Sequence, residues 1–144
     1  MIAVDTNIMV YAHREDAPLH ATAFECLRSL VEGRAAWGIP WPCVHEFIGI
    51  VTHTRIYNPP TSMRLAVEAV GSWMESPTLV LLGETTEHWP RLTRLLINGR
   101  VAGPRVHDAR VAALCLQHGV RELWTADRDF SRFPDLATRN PLVG

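Results

Sequence analysis

Three polar residues, Asp5, Thr6 and Asn7, interrupt the apolar opening "MIAVDTNIMVYA". A charged side chain is almost never fully buried unless it is paired or holds a metal, so Asp5 is either a turn residue or a site residue. Three more acids stand in poorly solvated surroundings. Asp108, near the start of "RVHDARVAALCLQHG", is followed three, four and seven positions on by Val111, Ala112 and Cys115, which sets it on the inward face of a helix. Glu46, in "PCVHEFIGIVTHT", shares its stripe with Gly49 and Ile50, and Asp127 lies just past the apolar segment "RELWT". By contrast Glu25, Glu32, Glu68 and Glu75 read as solvated helix surface.

Each acid alone has a purely structural reading. Asp5 would cap a helix beginning at Asn7, Asp108 would favour a helix N-terminus through the dipole, and Asp127 would form a turn. Taken together they point to chemistry. Carboxylates within a few ångströms repel until one takes up a proton, and a divalent cation removes that conflict. A set of hard oxygen donors suits Mg²⁺ or Mn²⁺. Zinc has no support, because "HEFIG" lacks the second histidine of H-E-x-x-H and the cysteines do not pair. His45 and His107 fall on other helix faces than their acidic neighbours and read as structural. Carboxylate-held Mg²⁺ serves phosphoryl chemistry, so hydrolysis of a phosphodiester is the natural expectation, with the substrate left open by spacing alone.

The elements that must position these acids alternate along the chain. Short apolar segments, "IAV", "AAWGIP", "TLVLL" and "RELWT", are separated by amphipathic stretches such as "ATAFECLRSLVEG" and "EHWPRLTRLLING". Strands alternating with helices predict an α/β domain whose central parallel sheet is covered on both faces, with ligands at the carboxyl edge, where Asp5 and Asp127 fall. Gly33, Gly99 and Gly119 are expected as left-handed helix C-caps. Pro42 suits a first helical turn, Thr61 an N-cap for "MRLAVEAVGSWM", and Thr86 the N-cap of the next helix, with Pro90 early enough to be tolerated.

Composition sets the class and removes rivals. With 144 residues, 47% of them hydrophobic, the chain fits one globular domain over residues 1–144. A net charge of −1 announces no general nucleic-acid field. All fourteen basic residues are arginine. The absence of lysine excludes P-loop and Schiff-base chemistry. Cys26, Cys43 and Cys115 form neither a disulfide framework nor a C-x-x-C site. No basic segment leads into a long apolar run, and none approaches the ~18 residues of a membrane span, so we expect a cytoplasmic protein with no membrane contact.

"VDTNIMVYA", Glu46 in its helix, "HDARVAAL" and "LWTADRDF" resemble, in order and spacing, the motifs of PIN-domain ribonucleases, and most of all those of the VapC toxins of bacterial toxin–antitoxin pairs. The resemblance spans nearly the whole chain. It implies a three-layer α/β/α sandwich with an acidic pocket for one or two Mg²⁺ or Mn²⁺ ions. Asp5, Glu46, Asp108 and Asp127 match the family's four acids, as metal ligands and catalytic residues. Thr6, Asn7 and Thr125 match polar positions that orient the acids through hydrogen bonds, and Asp129, one turn past the last acid, reads as a supporting residue of the same kind. The implied reaction is in-line attack of water on an RNA phosphodiester, leaving a 5′-phosphate and a 3′-hydroxyl. A cognate antitoxin and a homodimer are the implied partners.

Arg14, Arg105, Arg110 and Arg128 lie close in sequence to the motifs and are candidates for steering phosphate. Trp37, Trp41 and Trp89 read as core residues. Two alternatives compete with a nuclease. A haloacid-dehalogenase-like phosphatase needs a second Asp where Asn7 stands and a lysine that does not occur. An inactive PIN-like module acting through protein contacts predicts loss of acids, whereas all four are kept.

Overall fold

The computed structural model describes residues 1–144. Strands β1 (Ile2–Val4), β2 (Trp37–Pro40), β3 (Leu79–Leu82), β4 (Glu122–Trp124) and β5 (Thr138–Arg139) form one sheet in the order β3-β2-β1-β4-β5. Every pairing is parallel, with Ile2 opposite Trp37 on one side and opposite Glu122 on the other. The helices are α1 (Thr6–His13), α2 (His20–Val31), α3 (Trp41–Val51), α4 (Met63–Met74), α5 (His88–Asn98) and α6 (Val106–Gln117). The chain steps from β1 outward to β2 and β3, then returns past β1 to β4 and β5. Right-handed crossovers in opposite directions place their helices on opposite faces of the sheet. The packing follows that rule, with α1 against α2 and α3, and α5 against α6, giving a three-layer α/β/α sandwich. The strand order reverses between β1 and β4, and such a switch point opens a crevice at the carboxyl ends of its two strands.

One core runs through both layers. Trp37, Phe47, Ile8, Met9, Ile39, Leu114 and Leu123 are buried at its centre. Trp37 also donates its indole N–H to Ser76 Oγ at 3.2 Å. Trp41 and Trp89 depart from the expected core role: they are 38% and 67% exposed, Trp41 at the very start of α3, ahead of the buried Cys43 and Val44, and Trp89 on α5, which buries no residue fully. No helix is long and apolar enough to cross a membrane.

Local punctuation agrees with expectation at some ends and not others. Pro42 does lie in the first turn of α3. Gly119 caps α6 at φ 70°, with Val120 N–H bonded to Cys115 O and Gly119 N–H to Leu116 O, a Schellman closure. Gly33 and Gly99 are not left-handed. At each a Cβ would stand 2.8 Å from a carbonyl oxygen of the preceding turn, so close approach explains the glycine, and after α5 the left-handed position falls to Arg100 at φ 50°. Ser62, not Thr61, caps α4, its Oγ accepting from Leu65 N–H at 3.2 Å. Thr61 is instead buried, its hydroxyl between His13 and Arg14. Nor does Thr86 cap α5: the N-cap is Glu87 without a side-chain bond, and Thr85 Oγ1 accepts from its N–H.

Strand β5 carries no apolar signal, since Thr138 and Arg139 are both exposed. Backbone pairing alone places it, through Leu123 N–H to Ala137 O and Thr125 N–H to Arg139 O, each 2.9 Å. That second bond fixes Thr125, the residue just past the end of β4.

Candidate functional site

Strand β1 ends at Val4, and helix α1 starts at Thr6, so Asp5 occupies both the strand end and the helix N-cap. Its backbone N–H continues the sheet to Trp124 O at 3.0 Å. The buried carboxylate takes four donors: Thr6 N–H (2.8 Å) and the Cys43 thiol (3.4 Å) on Oδ1, the Thr125 hydroxyl (2.7 Å) and the Asn7 amide (3.4 Å) on Oδ2. The capping reading and the site reading of Asp5 are therefore compatible. A short β-to-α junction aims the carboxylate outward while satisfying the helix end.

Thr125 and Asn7 lock the two strand ends together. Asn7 Nδ2 donates to Thr125 Oγ1 at 3.3 Å, and its Oδ1 accepts from Ala126 N–H at 3.0 Å. Thr125 Oγ1 donates to Asp5 and also accepts from Asp127 N–H at 3.0 Å. Asp127 Oδ1 in turn accepts from Asp129 N–H at 2.8 Å, capping a 3₁₀ turn over Arg128–Arg132. A continuous hydrogen-bonded chain thus runs from Asp129 to Asp5 across the switch point.

Asp5, Thr6, Asn7, Glu46, Asp108 and Asp127 line a single pocket of about 240 Å³. At ~30 Å³ per water, that is room for a hydrated ion with a phosphate. Asp108 reaches it from the first turn of α6 and Glu46 from the middle of α3. Burial differs among the four: Asp5 is buried, Asp108 and Asp127 are half-buried, and Glu46 is exposed, contrary to the expectation that it is poorly solvated. Carboxylate oxygens of Asp108, Asp127 and Asp129 lie within 4.8 Å of one another. Asp129, expected only in support, therefore stands in the tightest acidic group, while Asp5 and Glu46 are outside it. Arg105 Nη1 sits 2.6 Å from Asp129 Oδ1 and holds that carboxyl below the usual range.

The acids strain one another electrostatically. Burial, with Asp127, Asp5 and Asp129 adding repulsion, pushes Asp108 up to about 6. Burial raises Asp5 above the usual range against the hydrogen bonds from Thr125, Thr6 and Cys43, and Asp127 adds to the rise. Glu46 is also raised, first by desolvation and then by Asp5, while the Thr6 hydroxyl and His107 pull it back. Burial drives the Cys43 thiol far above its ordinary value, so it stays protonated and acts as a donor. The donor set left for a ligand is hard oxygen with excess negative charge, which fits a divalent cation such as Mg²⁺ or Mn²⁺.

His107 corrects the structural role expected of it. It lines the same pocket, because the start of α6 turns its side chain toward Glu46. His45 does point elsewhere, exposed against the Trp41 ring. Of the four arginines, Arg105 is tied to Asp129, Arg110 to Glu84, and Arg14 to Asp16, while Arg128 is exposed beside Asp127. Cys43, Tyr11 and Tyr57 were not legible as site residues, because nothing in apolar spacing distinguishes a pocket wall from core.

The model of the PIN domain matches residues 2–136. The VapC ribonuclease Mb2897 of Mycobacterium bovis is 35% identical over all 144 residues, covering 97% of that protein. Among solved structures, FitAcB from Neisseria gonorrhoeae aligns over 100% of both chains at a TM-score of 0.70 and 18% identity. VapC20 of Mycobacterium tuberculosis, described as a sarcin–ricin loop cleaving toxin, covers 91% of this chain and 93% of its own at 0.67 and 18% identity. A carboxylate-lined switch point in a 3-2-1-4-5 parallel sheet, on a chain related end to end to a VapC ribonuclease, makes this protein a member of the PIN-domain family and of its VapC branch.

Proposed function

We propose that residues 1–144 act as one PIN-like endoribonuclease domain, dependent on Mg²⁺ or Mn²⁺ and serving as the toxin of a toxin–antitoxin pair. The observation that carries the reading is the convergence of Asp5, Glu46, Asp108 and Asp127 on one pocket from four separate elements. Asp5, Asp108, Glu46 and Asp127 would hold the cation, with Asp129 next to Asp108 and Asp127. When bound, the ion offsets charge on the scissile phosphate and makes water a better nucleophile. The chain's own part is orientation. Thr125, Asn7, Thr6 and Cys43 hold the Asp5 carboxylate in one rotamer, and the Asp127 to Asp129 turn is fixed by backbone donors. Hydrolysis leaves a 5′-phosphate and a 3′-hydroxyl. The related M. bovis protein is by its name a ribonuclease, which favours RNA as the substrate.

Solved proteins of this fold include a toxin–antitoxin complex from Klebsiella pneumoniae, which favours an antitoxin as partner and leaves room for a homodimer. Helix α4 leaves Met63, Leu65, Val67 and Met74 between 40% and 56% exposed, apolar surface of the kind that partners cover. Three free thiols fit the reducing cytoplasm we assign to it. The test is cleavage of RNA by purified protein with Mg²⁺ or Mn²⁺. Wild type cleaves, and Asp5→Asn and Asp108→Asn keep the fold by circular dichroism yet lose cleavage. Full activity in either variant removes the assigned role, and an inactive wild type removes the enzyme.

A further inference from the structure

The pocket that gathers the carboxylates has a second wall that ion and phosphate chemistry does not use. Val10, Tyr11, Ile50, Tyr57 and Val111 present apolar or aromatic surface beside the acids. A phosphodiester and a divalent cation seek charge and oxygen, so this wall suits another part of the substrate.

Tyr57 stands in the connection between α3 and α4, and the Arg14 guanidinium lies over its ring, Cζ 4.2 Å from the centroid. Arg14 is itself held at each nitrogen. Nε and Nη2 donate to Asp16 Oδ1 and Oδ2 at 2.9 and 2.6 Å, and Nη1 donates to the buried Thr61 hydroxyl at 3.2 Å. Thr61 is in turn within 3.0 Å of His13 Nε2. A guanidinium so engaged is a poor phosphate ligand. It serves as a clamp, fixing an aromatic ring by one face and leaving the rest of the ring to the pocket that it lines.

We propose that Tyr57 is the stacking platform for the nucleobase adjoining the scissile phosphate, a specificity-determining residue that Arg14 positions. The inference rests on the ribonuclease reading and adds the substrate's state: the base must be unpaired, since an aromatic side chain stacks on a base released from a duplex. A ring already immobilised loses little freedom on stacking.

The experiment uses full-length wild type, Tyr57→Phe and Tyr57→Leu, with Mn²⁺ and a single-stranded oligoribonucleotide that wild type cleaves. The same oligonucleotide is also made with an abasic ribose on either side of the cleaved bond. One abasic position is expected to raise KM for wild type and Tyr57→Phe on the order of tenfold or more, with kcat little changed. Tyr57→Leu is expected to show that loss on the intact oligonucleotide and no further loss on the abasic one. Equal cleavage of intact and abasic RNA by wild type, which needs no variant to fold, overturns the platform. So does an abasic penalty that persists undiminished in Tyr57→Leu. Unchanged cleavage by Tyr57→Leu with weakened binding of a protein partner assigns the wall to that partner and overturns it too. Wild type that cleaves no RNA fails the ribonuclease reading itself, a result distinct from all of these.

Discussion

Asp108→Asn should make the metal-free protein more stable while destroying its activity. In the fold this carboxyl titrates at about 6 instead of its ordinary 3.8, because it is desolvated and faces Asp127, Asp5 and Asp129. Each pH unit is worth about 1.4 kcal/mol, so holding Asp108 ionised costs the fold at most about 3 kcal/mol at neutral pH. The side chain is only half-buried, and solvent screening reduces this to roughly 1–2 kcal/mol. The folded state binds the proton more tightly than the unfolded chain. The penalty is therefore absent below about pH 4, grows as pH rises toward 6, and is present in full above it. In EDTA at pH 7.5, a condition chosen well above that window, the variant should melt on the order of 3–6 °C higher than wild type. At pH 4 the two should coincide. Saturating Mn²⁺ should reverse the order, because an ion at a hundred times its Kd stabilises the protein that binds it by about 2.7 kcal/mol. Equal melting temperatures in EDTA at neutral pH, or a gap that survives at pH 4, refute the argument from crowded carboxylates.

Further outcomes follow from individual contacts. Thr125→Val removes the hydroxyl that donates to Asp5 and accepts from Asn7 and Asp127, so it should cost roughly 1–3 kcal/mol in chemical denaturation and lower cleavage severalfold or more. Arg100→Gly relieves a left-handed residue after α5 and should stabilise by about 0.5–1 kcal/mol by the same assay, with cleavage unchanged. Arg105→Gln frees the Asp129 carboxylate, which then titrates nearer its ordinary value and above its wild-type position, as a carboxyl-carbon NMR titration would read. Mg²⁺ or Mn²⁺ should raise the wild-type melting temperature with ligand concentration, and EDTA should restore the starting value.

Asp5 and Asp108 stand out in the sequence because each breaks a pattern, whereas Glu46 and Asp127 are singled out mainly by the motif resemblance. Asp5 breaks off an apolar strand, and Asp108 lies on a helix face that continues as Val111, Ala112 and Cys115. The parallel sheet followed from the alternation of strands and helices, and the switch point between β1 and β4 explains why both strand ends carry site residues. What stayed hidden depends on tertiary placement. Strand β5 is two exposed residues recruited by backbone pairing alone, and Cys43 looks like any core thiol until α3 sets it against Asp5. His107 and Tyr57 reach the pocket through the pitch of α6 and the course of the α3–α4 connection, which periodicity does not encode. At Thr86 the helix starts one residue later than the spacing suggests, at a Glu87 cap with no side-chain bond, whereas at Thr61 adjacent hydroxyl residues compete for a helix end and tertiary contacts decide. Thr61 is claimed by His13 and Arg14, which leaves the cap to Ser62.

If acids from the ends of β1 and β4 and from α3 and α6 share a divalent cation, each of them must contribute to its affinity. Mn²⁺ binding followed by electron paramagnetic resonance tests it most directly, on wild type and on Asp5→Asn, Glu46→Gln, Asp108→Asn and Asp127→Asn. Wild type should bind saturably and every variant more weakly, with Asp5→Asn and Asp108→Asn losing most. Wild-type affinity retained in all four variants would contradict a shared cation.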